Sequence, residues 1–151
     1  MHVRTYHPQD LPALLALFYA AVHTGCAADY TPAQLDAWAP AEPDTAAWAA
    51  ALSKGTALVA EEAGRPLGFG AIGPDGYLDL LFVRPDRQGQ GVGSVLCGFL
   101  EGLYPVGHVT VHASRTARPF FRRRGYRLVR TQQVARRGQT LTNHVMEKEL
   151  I

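Results

Sequence analysis

The sequence predicts an α/β (α+β) fold, in which a mixed sheet of six to seven strands carries helices on both faces. Its 151 residues are enough for one domain with a buried core, and we expect residues 1–151 to form that single domain. Early segments have apolar residues at helical spacing, whereas later segments are short apolar runs separated by glycine-containing turns. The predicted order is a strand, two or three helices, three strands, a helix, a strand, a helix and two strands.

The first part of the chain predicts a short strand followed by helices. Leucine, phenylalanine and valine recur at helical spacing after residue 10, so one stripe of the first helix faces a core. Thr31 and Gln34 form a capping box for a short second helix, which must end near Pro40. The predicted elements are a strand at 3–6 and helices that begin after the expected N-caps Asp10, Thr31 and Asp44.

The rest of the chain predicts six strands and two further helices. The strand at 77–83 is apolar on both faces, as expected of a central strand that is covered on both sides. The predicted strands are 56–61, 67–72, 77–83, 108–113, 126–134 and 140–150, and a short helix is predicted at 117–124. The other helix has an apolar stripe of Val92, Val95, Leu96, Phe99, Leu100 and Leu103. Cys97 lies one residue past this stripe, and we expect it to be a small buried side chain.

The composition is that of an ordinary globular protein and argues against several partners. Lysine and arginine number 15 against 13 aspartate and glutamate residues, which predicts no basic surface for nucleic acid or an anionic membrane. Apolar runs are too short to cross a bilayer, and the N-terminus lacks the apolar centre of a signal peptide. Cys26 and Cys97 form no Cys-x-x-Cys motif, and the histidines show no metal-ligand spacing. We therefore expect a cytoplasmic protein that binds no metal, nucleic acid or membrane.

The most informative segment is the glycine-rich run from Gln88 to Ser94, between an apolar strand and an amphipathic helix. Gly89, Gly91 and Gly93 allow tight turns and a close approach of the backbone to a ligand. The helix that begins behind them presents N–H groups that have no partner within the helix. Together these features predict an anion site, most naturally one for phosphate.

Several interpretations of the glycine run compete. A Walker loop requires a lysine before Ser94, where this chain has Gly93. A dinucleotide loop has the spacing Gly-x-Gly-x-x-Gly and an acidic residue at the end of the next strand, and this chain has neither. A turn that serves close packing alone is the structural alternative. The remaining pattern, Gln-x-x-Gly-x-Gly, is met by Gln88, Gly91 and Gly93.

This pattern and its flanking motifs resemble the acyl-coenzyme A loop of the GNAT superfamily of N-acetyltransferases. The segment Leu81-Phe82-Val83-Arg84-Pro85 precedes the loop, and the next strand is followed by Ala117, Phe120, Phe121, Gly125 and Tyr126 in the family's order and spacing. The resemblance covers nearly the whole chain and implies a mixed, mostly antiparallel sheet. It also implies an enzyme that moves an acetyl group from acetyl-coenzyme A (acetyl-CoA) to a primary amine of a small molecule or peptide.

The resemblance implies how acetyl-CoA is held. The strand before the loop separates from its neighbour, and the pantetheine arm lies in the gap against exposed backbone. The diphosphate rests on the amides of residues 89–94, and a backbone N–H near Phe82 and Val83 polarises the thioester carbonyl. Arginines between 115 and 124 form a solvated face or meet the 3′-phosphate. The implied cofactor-binding residues are Leu81, Phe82, Val83, Gln88, Gly89, Gln90, Gly91, Val92, Gly93, Ser94 and Phe121.

Two catalytic candidates follow from the resemblance. Asp79 lies on the strand that leads to the thioester, so it is the candidate base that takes a proton from the attacking amine. A structural hydrogen bond or a solvent-facing position is the alternative for Asp79. Many family members place a tyrosine, which protonates the leaving thiolate, where this chain has Phe121. Phe121 has no proton to donate, so water or Ser114 is the candidate for that step.

The acceptor site is predicted from the resemblance alone. The loop between the first two helices would wall a substrate pocket lined by Tyr30 and Trp38, and ordinary core packing is the alternative for both. No acidic cluster marks a polyamine or aminoglycoside site. A non-catalytic acyl-CoA-binding or regulatory protein is the alternative function. A homodimer that pairs the C-terminal strands is compatible with the pattern, as is an ordinary hairpin.

Overall fold

The computed structural model describes residues 1–150, which form one seven-stranded sheet with helices against both faces. The strands are β1 (His2–Thr5), β2 (Thr56–Glu62), β3 (Arg65–Ile72), β4 (Tyr77–Val83), β5 (His108–Ser114), β6 (Arg127–Arg136) and β7 (Gln139–Glu149). The α-helices are α1 (Leu11–His23), α2 (Pro32–Trp38), α3 (Thr45–Lys54), α4 (Val92–Glu101) and α5 (Arg118–Arg123). This mixed, mostly antiparallel sheet confirms the predicted fold class and the predicted order of elements.

The two central strands separate along part of their length. The strand order is β1-β2-β3-β4-β5-β7-β6, and each neighbouring pair is antiparallel except β4 with β5. Within residues 1–150, β4 and β5 pair at two positions, Tyr77 with Thr110 and Leu78 with Val111. Beyond these positions β4 continues against β3 and β5 against β7, so a gap opens at the centre of the sheet.

A β-bulge in β4 coincides with this separation. Ile72 of β3 lies opposite Leu78, whereas the preceding Ala71 lies opposite Leu80, so Asp79 is the extra residue. A bulge bends its strand and increases the local twist. The bulge therefore leads the rest of β4 away from β5, and it turns Asp79 and Leu80 toward the same side of the sheet.

Each face of the sheet has its own core. The helices α1, α2 and α3 cover one face, where Leu14, Val22 and Phe69 are almost fully buried. On the other face, Leu96 and Leu100 of α4 are fully buried. Burying such a side chain contributes about 1.5–3 kcal/mol, so the two cores together hold the sheet between the helix layers. Within residues 1–150, no helix has both the length and the apolar surface that a bilayer-spanning helix requires.

The apolar stripe predicted for α4 is only partly buried. Its buried row is Val92, Leu96 and Leu100, whereas Val95, Phe99 and Leu103 are 36%, 56% and 40% exposed. The prediction was wrong for the second row because the sheet covers only the face of α4 that carries Val92, Leu96 and Leu100 and leaves the neighbouring row toward solvent. The covered face extends instead to Cys97, which is fully buried, as expected of a small apolar side chain.

All three predicted N-cap positions are confirmed, and two of them cap the helix through the side chain. Thr31 and Gln34 form the capping box of α2 through reciprocal hydrogen bonds of 2.9 and 3.2 Å. The carboxylate of Asp44 accepts a hydrogen bond of 3.0 Å from the first turn of α3. Asp10 stands at the N-cap of α1 as predicted, but its side chain makes no capping hydrogen bond to that helix. Its carboxylate instead binds the Arg4 guanidinium at 2.8 Å and accepts a hydrogen bond of 2.8 Å from the His7 N–H.

Candidate active site

Two clefts open where β4 and β5 separate, and Trp38, Phe82 and Ser114 line both of them. The first cleft has a volume of about 500 Å³ and lies between the end of β4, the glycine-rich turn and the start of α5. The second has a volume of about 410 Å³ and lies between α1, α2, α3, the central strands and the β6–β7 hairpin. Both volumes are typical of small-molecule sites.

The first cleft collects most of the residues predicted to bind acetyl-CoA. From β4 it is lined by Leu81, Phe82 and Val83, and from the opposite side by Ser114 and Phe121. The turn contributes Gln88, Gly89, Gly91, Val92, Gly93 and Ser94. Gln90 is not part of this lining, because its side-chain amide turns away and donates to the Asp86 carbonyl at 3.3 Å.

Left-handed backbone angles shape the glycine-rich turn. Gly89 has φ 75° and Gly91 has φ 88°, values that residues with a Cβ rarely adopt. Gly91 is the N-cap of α4, so the N–H groups of Val92, Gly93 and Ser94 have no acceptor within the helix. These N–H groups and the helix dipole favour an anion at this end of the cleft.

Arginines give the first cleft a positive potential. Arg87, Arg123 and Arg124 line it, and no carboxylate among residues 1–150 does so. Arg124 is paired with Glu101 at 2.6 Å and donates to the Ser94 carbonyl at 3.2 Å. Arg124 therefore ties the end of α5 to the first turn of α4, beside the unpaired N–H groups.

A buried polar network holds Arg124 in place. Glu101 also accepts a hydrogen bond of 2.6 Å from the hydroxyl of Tyr126, whose ring is buried as a core aromatic. Burial alone would raise the pKa of Glu101, but the hydrogen bonds from Arg124 and Tyr126 outweigh it and lower that pKa. Burial raises the pKa of the neighbouring Cys97 thiol to about 11, so this cysteine is not an activated thiolate.

The second cleft has an aromatic wall and a polar end. Its aromatic wall consists of Phe18, Tyr30, Trp38, Trp48 and Phe82. Its polar residues include Asp79, His112, Gln132, Arg136, Thr142 and Asn143. The residues predicted as an acceptor wall, Tyr30 and Trp38, thus lie in the same cleft as the predicted base, Asp79.

Asp79 lies at the bulge of β4, on the wall of the second cleft. Asp79 is an exposed residue, as one alternative in the sequence analysis expected, and the partial burial of its carboxyl against the cleft wall raises the pKa of that group above the ordinary value. The charge of Lys54, and that of His112 when its imidazole is protonated, oppose this rise without cancelling it. A carboxylate with a raised pKa holds a proton more firmly, which suits a group that accepts one during a reaction.

His112 is a candidate functional residue that the sequence analysis missed. The parallel register of β4 and β5 brings it level with Asp79, at the position where the strands part. Burial, reinforced by the charge of Arg130, lowers the pKa of the His112 imidazole. The imidazole is therefore neutral at physiological pH. Within residues 1–150, no group of three or more His, Cys, Asp or Glu side chains is arranged to hold a metal ion.

Ser114 lies at the end of β5, where the two clefts meet. Its Oγ accepts a hydrogen bond of 3.0 Å from the Ala117 N–H, so its hydroxyl proton is free to donate. Its ladder partner is Asn143 of β7, whose Oδ1 is buried with no hydrogen-bond partner among residues 1–150. An unpaired buried acceptor costs about 1–3 kcal/mol, a cost that a suitably placed donor would remove.

Tyr30 joins the loop after α1 to distant parts of the chain. Its hydroxyl accepts a hydrogen bond of 2.9 Å from the Arg115 N–H and donates one of 2.8 Å to the Thr142 carbonyl. The adjacent Asp29 accepts a hydrogen bond of 2.7 Å from the Thr116 hydroxyl. These bonds fasten the loop to the start of α5 and to β7, which closes one side of the second cleft.

Phe121 is buried at the edge of the first cleft. It is 3% exposed, and its ring packs edge-on against Tyr126 with centroids 5.0 Å apart. The side chain therefore contributes packing to the cleft wall. It supplies no proton donor at this position.

The fold and the paired clefts define the class of this protein. A mixed sheet whose central parallel strands separate beside an anion-binding helix start is the arrangement that the resemblance implies for an acetyltransferase. A family model described as the acetyltransferase (GNAT) domain matches residues 26–150. The chain belongs to this GNAT acetyltransferase family.

Known proteins match nearly the whole chain. The uncharacterized N-acetyltransferase YafP of Escherichia coli K12 is 37% identical over 146 residues, which cover 97% of this chain and 94% of that protein. A GCN5-related N-acetyltransferase from Rhodopseudomonas palustris, solved as a crystal structure, is 38% identical with a TM-score of 0.94 and covers 99% of this chain and 95% of that one. The PaiA N-acetyltransferase from Thermoplasma acidophilum, solved with coenzyme A, shares the fold at 15% identity with a TM-score of 0.78, over 99% and 98% of the two chains. These likenesses confirm the predicted family and fold.

Proposed function

We propose that this protein is an N-acetyltransferase that moves an acetyl group from acetyl-CoA to a primary amine of a small molecule or peptide. The observation that carries the proposal is the meeting of two clefts at Trp38, Phe82 and Ser114. One cleft suits a phosphorylated thioester carrier, and the other suits an organic amine. Direct transfer requires both reactants in one continuous space, and holding them there lowers the entropic part of the barrier.

Backbone groups would carry most of the binding in the first cleft. We assign the diphosphate to the amides from Gly89 to Ser94, where the helix start compensates negative charge. We assign the 3′-phosphate to Arg123 and Arg124, which line the same cleft. The PaiA N-acetyltransferase has the same fold and was solved with coenzyme A, which supports a coenzyme A thioester as the acetyl donor.

The end of β4 provides the group that we assign to the thioester carbonyl. The Arg84 N–H donates to the Leu67 carbonyl of β3 at 2.8 Å. Because successive N–H groups of a strand point to opposite sides, the Val83 N–H points into the gap between β4 and β5. A donor fixed there would polarise the thioester carbonyl and stabilise the oxyanion of the tetrahedral intermediate.

The reaction needs a proton acceptor and a proton source. The amine nitrogen attacks the thioester carbon and forms the new carbon–nitrogen bond, and the carbon–sulfur bond then breaks. Asp79 takes the proton that the amine releases, directly or through water. Ser114 or water gives a proton to the leaving thiolate, so the products are an amide and free coenzyme A. Asp79 and Ser114 regain their initial protonation by exchange with solvent.

Calorimetry with coenzyme A and a thiol-release assay with an amine panel test this proposal. We expect a binding heat with coenzyme A, and thiol release from acetyl-CoA that depends on an added amine. No heat and no thermal shift at millimolar coenzyme A would overturn the assignment of the first cleft. Binding without release by any amine would overturn the enzymatic proposal.

A non-catalytic acyl-CoA-binding or regulatory protein is the second candidate. The observation that favours it is Phe121, which stands where many GNAT enzymes place a tyrosine that protonates the thiolate. Asp79, with its raised pKa in the second cleft, favours the enzyme. The amine panel separates the two candidates.

Replacing Phe121 by tyrosine tests whether a proton donor is missing. We expect kcat to stay within about twofold of wild type, because an alkyl thiol such as a cysteine side chain has a pKa of only about 8.5 and leaves readily as a thiolate without an acid. Stopped-flow or steady-state thiol release measures the rate, and a thermal melt checks that the buried hydroxyl is tolerated. A clear rise in kcat would show instead that thiolate protonation limits turnover.

Coenzyme A binding should weaken with salt. Raising the ionic strength from about 0.1 M to about 1 M shortens the Debye length from about 10 Å to about 3 Å, so we expect the dissociation constant to rise by about threefold to tenfold. The reason is the contact that we assign between the 3′-phosphate and Arg123 and Arg124. Dephospho-coenzyme A, which lacks this phosphate, is the control and should lose less affinity. An equal response of both ligands would contradict the arginine contact.

Two further properties remain predictions. A homodimer would use the C-terminal strands, where β6 is an edge strand that carries exposed Leu128 and Val129. Light scattering in solution measures the molar mass of the protein and so distinguishes a homodimer from a monomer. A cytoplasmic location also remains a prediction.

A further inference from the structure

Three large aromatic side chains present partly exposed surface to the second cleft. They are Trp38, Trp48 and Phe82, and each lies on a different element: α2, α3 and β4. Phe18 of α1 contacts all three, with ring centroids 6.5 Å from Trp38, 4.6 Å from Trp48 and 4.9 Å from Phe82. These contacts fix the three rings, so the wall is formed before a ligand arrives.

The partial exposure of these rings needs a reason. Large aromatic side chains lower the free energy most when their apolar faces leave water. A preformed apolar wall of a cleft that also contains a few polar groups is the usual design of a small-molecule site. An aromatic ring of the ligand would complete the burial of Trp38, Trp48 and Phe82. A flexible ligand without a ring would leave part of these side chains exposed to water.

The charges of the second cleft limit how many amino groups the ligand carries. Asp79 is the one carboxylate among the described residues that line it, and Arg136 contributes a positive charge. His112 is neutral at physiological pH, and Lys54 adds positive charge near Asp79. A ligand with several ammonium groups would meet net repulsion, whereas a single amino group is matched by Asp79.

We propose, on the basis of the acetyl transfer proposed above, that the acceptor is a small monoamine carried on an aromatic ring. The ring lies against Trp38, Trp48 and Phe82. The amino group lies toward the junction of the clefts at Ser114, with Asp79 on the same wall. The cleft volume of about 410 Å³ accommodates a molecule of this size together with water. Polyamines are disfavoured by the same charges, and a peptide terminus without an aromatic ring would leave the wall exposed to water.

A matched pair of amines tests the proposal with the wild-type protein. 2-Phenylethylamine and 2-cyclohexylethylamine have the same chain and the same number of carbon atoms, and only the first has an aromatic ring. We expect kcat/KM to be about fivefold to tenfold higher for 2-phenylethylamine, because aromatic pairs gain attraction beyond area burial. Spermidine and an alanyl dipeptide should both be poorer than either. Equal or reversed preference within the pair, or a better rate with spermidine or the dipeptide, would overturn the proposal.

Substitutions at Trp48 provide the second arm, because this residue lines the second cleft and not the first. Trp48→Leu should remove the preference for 2-phenylethylamine and raise the KM for this amine about tenfold. Trp48→Phe should keep most of the preference and a KM close to that of wild type. The KM for acetyl-CoA should stay unchanged in both variants, and thermal melts compare their folding. A preference that survives in a folded Trp48→Leu protein would contradict the assigned wall.

Failure of this inference can be told from failure of the proposed function. Turnover of amines without the aromatic preference removes the inference and leaves the acetyltransferase. Binding of coenzyme A without turnover of any amine removes both. The wild-type pair decides the matter even if both Trp48 variants fail to fold.

Discussion

Replacing Gly91 by valine is expected to raise the dissociation constant for coenzyme A by about tenfold to hundredfold. Gly91 has φ 88° and is the N-cap of α4, so its conformation aims the first N–H groups of the helix into the cleft. A left-handed conformation costs a residue with a Cβ about 1–2 kcal/mol, and relaxation of that strain would turn the N–H groups away from the diphosphate. Calorimetry with coenzyme A measures the loss directly.

The matched control is Gly64→Val. Gly64 has φ 75° in the turn between β2 and β3, and a Cβ added at either glycine meets no atom within 4 Å. Both variants therefore carry similar backbone strain, and both should melt at a lower temperature than wild type. Only the Gly91 variant should lose coenzyme A binding. An equal loss in the two variants would mean that general destabilisation, and not the turn itself, controls the affinity.

Replacing Asp79 by asparagine is expected to lower kcat by about 100-fold or more and to change the dissociation constant for coenzyme A little. The amide has nearly the shape of the carboxyl but takes no proton from the amine. Thiol release with a turned-over amine measures kcat, and calorimetry measures coenzyme A binding. Asp36→Asn, an exposed carboxylate on α2, is the control and should behave as wild type. Unchanged turnover in the Asp79 variant would remove Asp79 from the mechanism.

The pH dependence of the wild-type protein and of the Asp79→Asn variant adds an independent check. The raised pKa of Asp79 means that kcat of the wild type should fall, as pH falls, at a higher pH than an ordinary aspartate would give. The contribution of Asp79 to the free energy of unfolding depends on pH in the opposite direction to kcat. A raised folded-state pKa stabilises the fold below the unfolded pKa, and that contribution is lost as pH rises through the folded value. At neutral pH the uncharged Asp79→Asn protein should therefore melt at the wild-type temperature or above it.

The glycine turn was predictable from sequence because its geometry is local. Positive φ at Gly89 and Gly91 depends on neighbouring residues, and so does the capping box of Thr31 and Gln34. The apolar run before the turn and the helix behind it then predict an anion site at one end of β4. These features required no knowledge of which strands lie side by side.

The second cleft was only partly predictable because its residues meet through pairing between distant segments. The register of β4 and β5 brings His112 level with Asp79, and no spacing within either strand reveals it. The bulge at Asp79 is likewise visible only against the register of β3. The exposure of Phe99 depends on how much of α4 the sheet covers, which the periodicity of the helix alone does not determine.

The hydrogen bond from the Tyr30 hydroxyl to the Thr142 carbonyl spans 112 positions of sequence. A contact between such distant residues requires closure of a long loop, and folds rich in such contacts fold more slowly. Without β7 the Tyr30 hydroxyl would lack the Thr142 acceptor, and the loop after α1 would lose this attachment at one side of the second cleft. The position of Tyr30 at the second cleft therefore depends on the docking of β7, the next-to-last strand in the spatial order of the sheet.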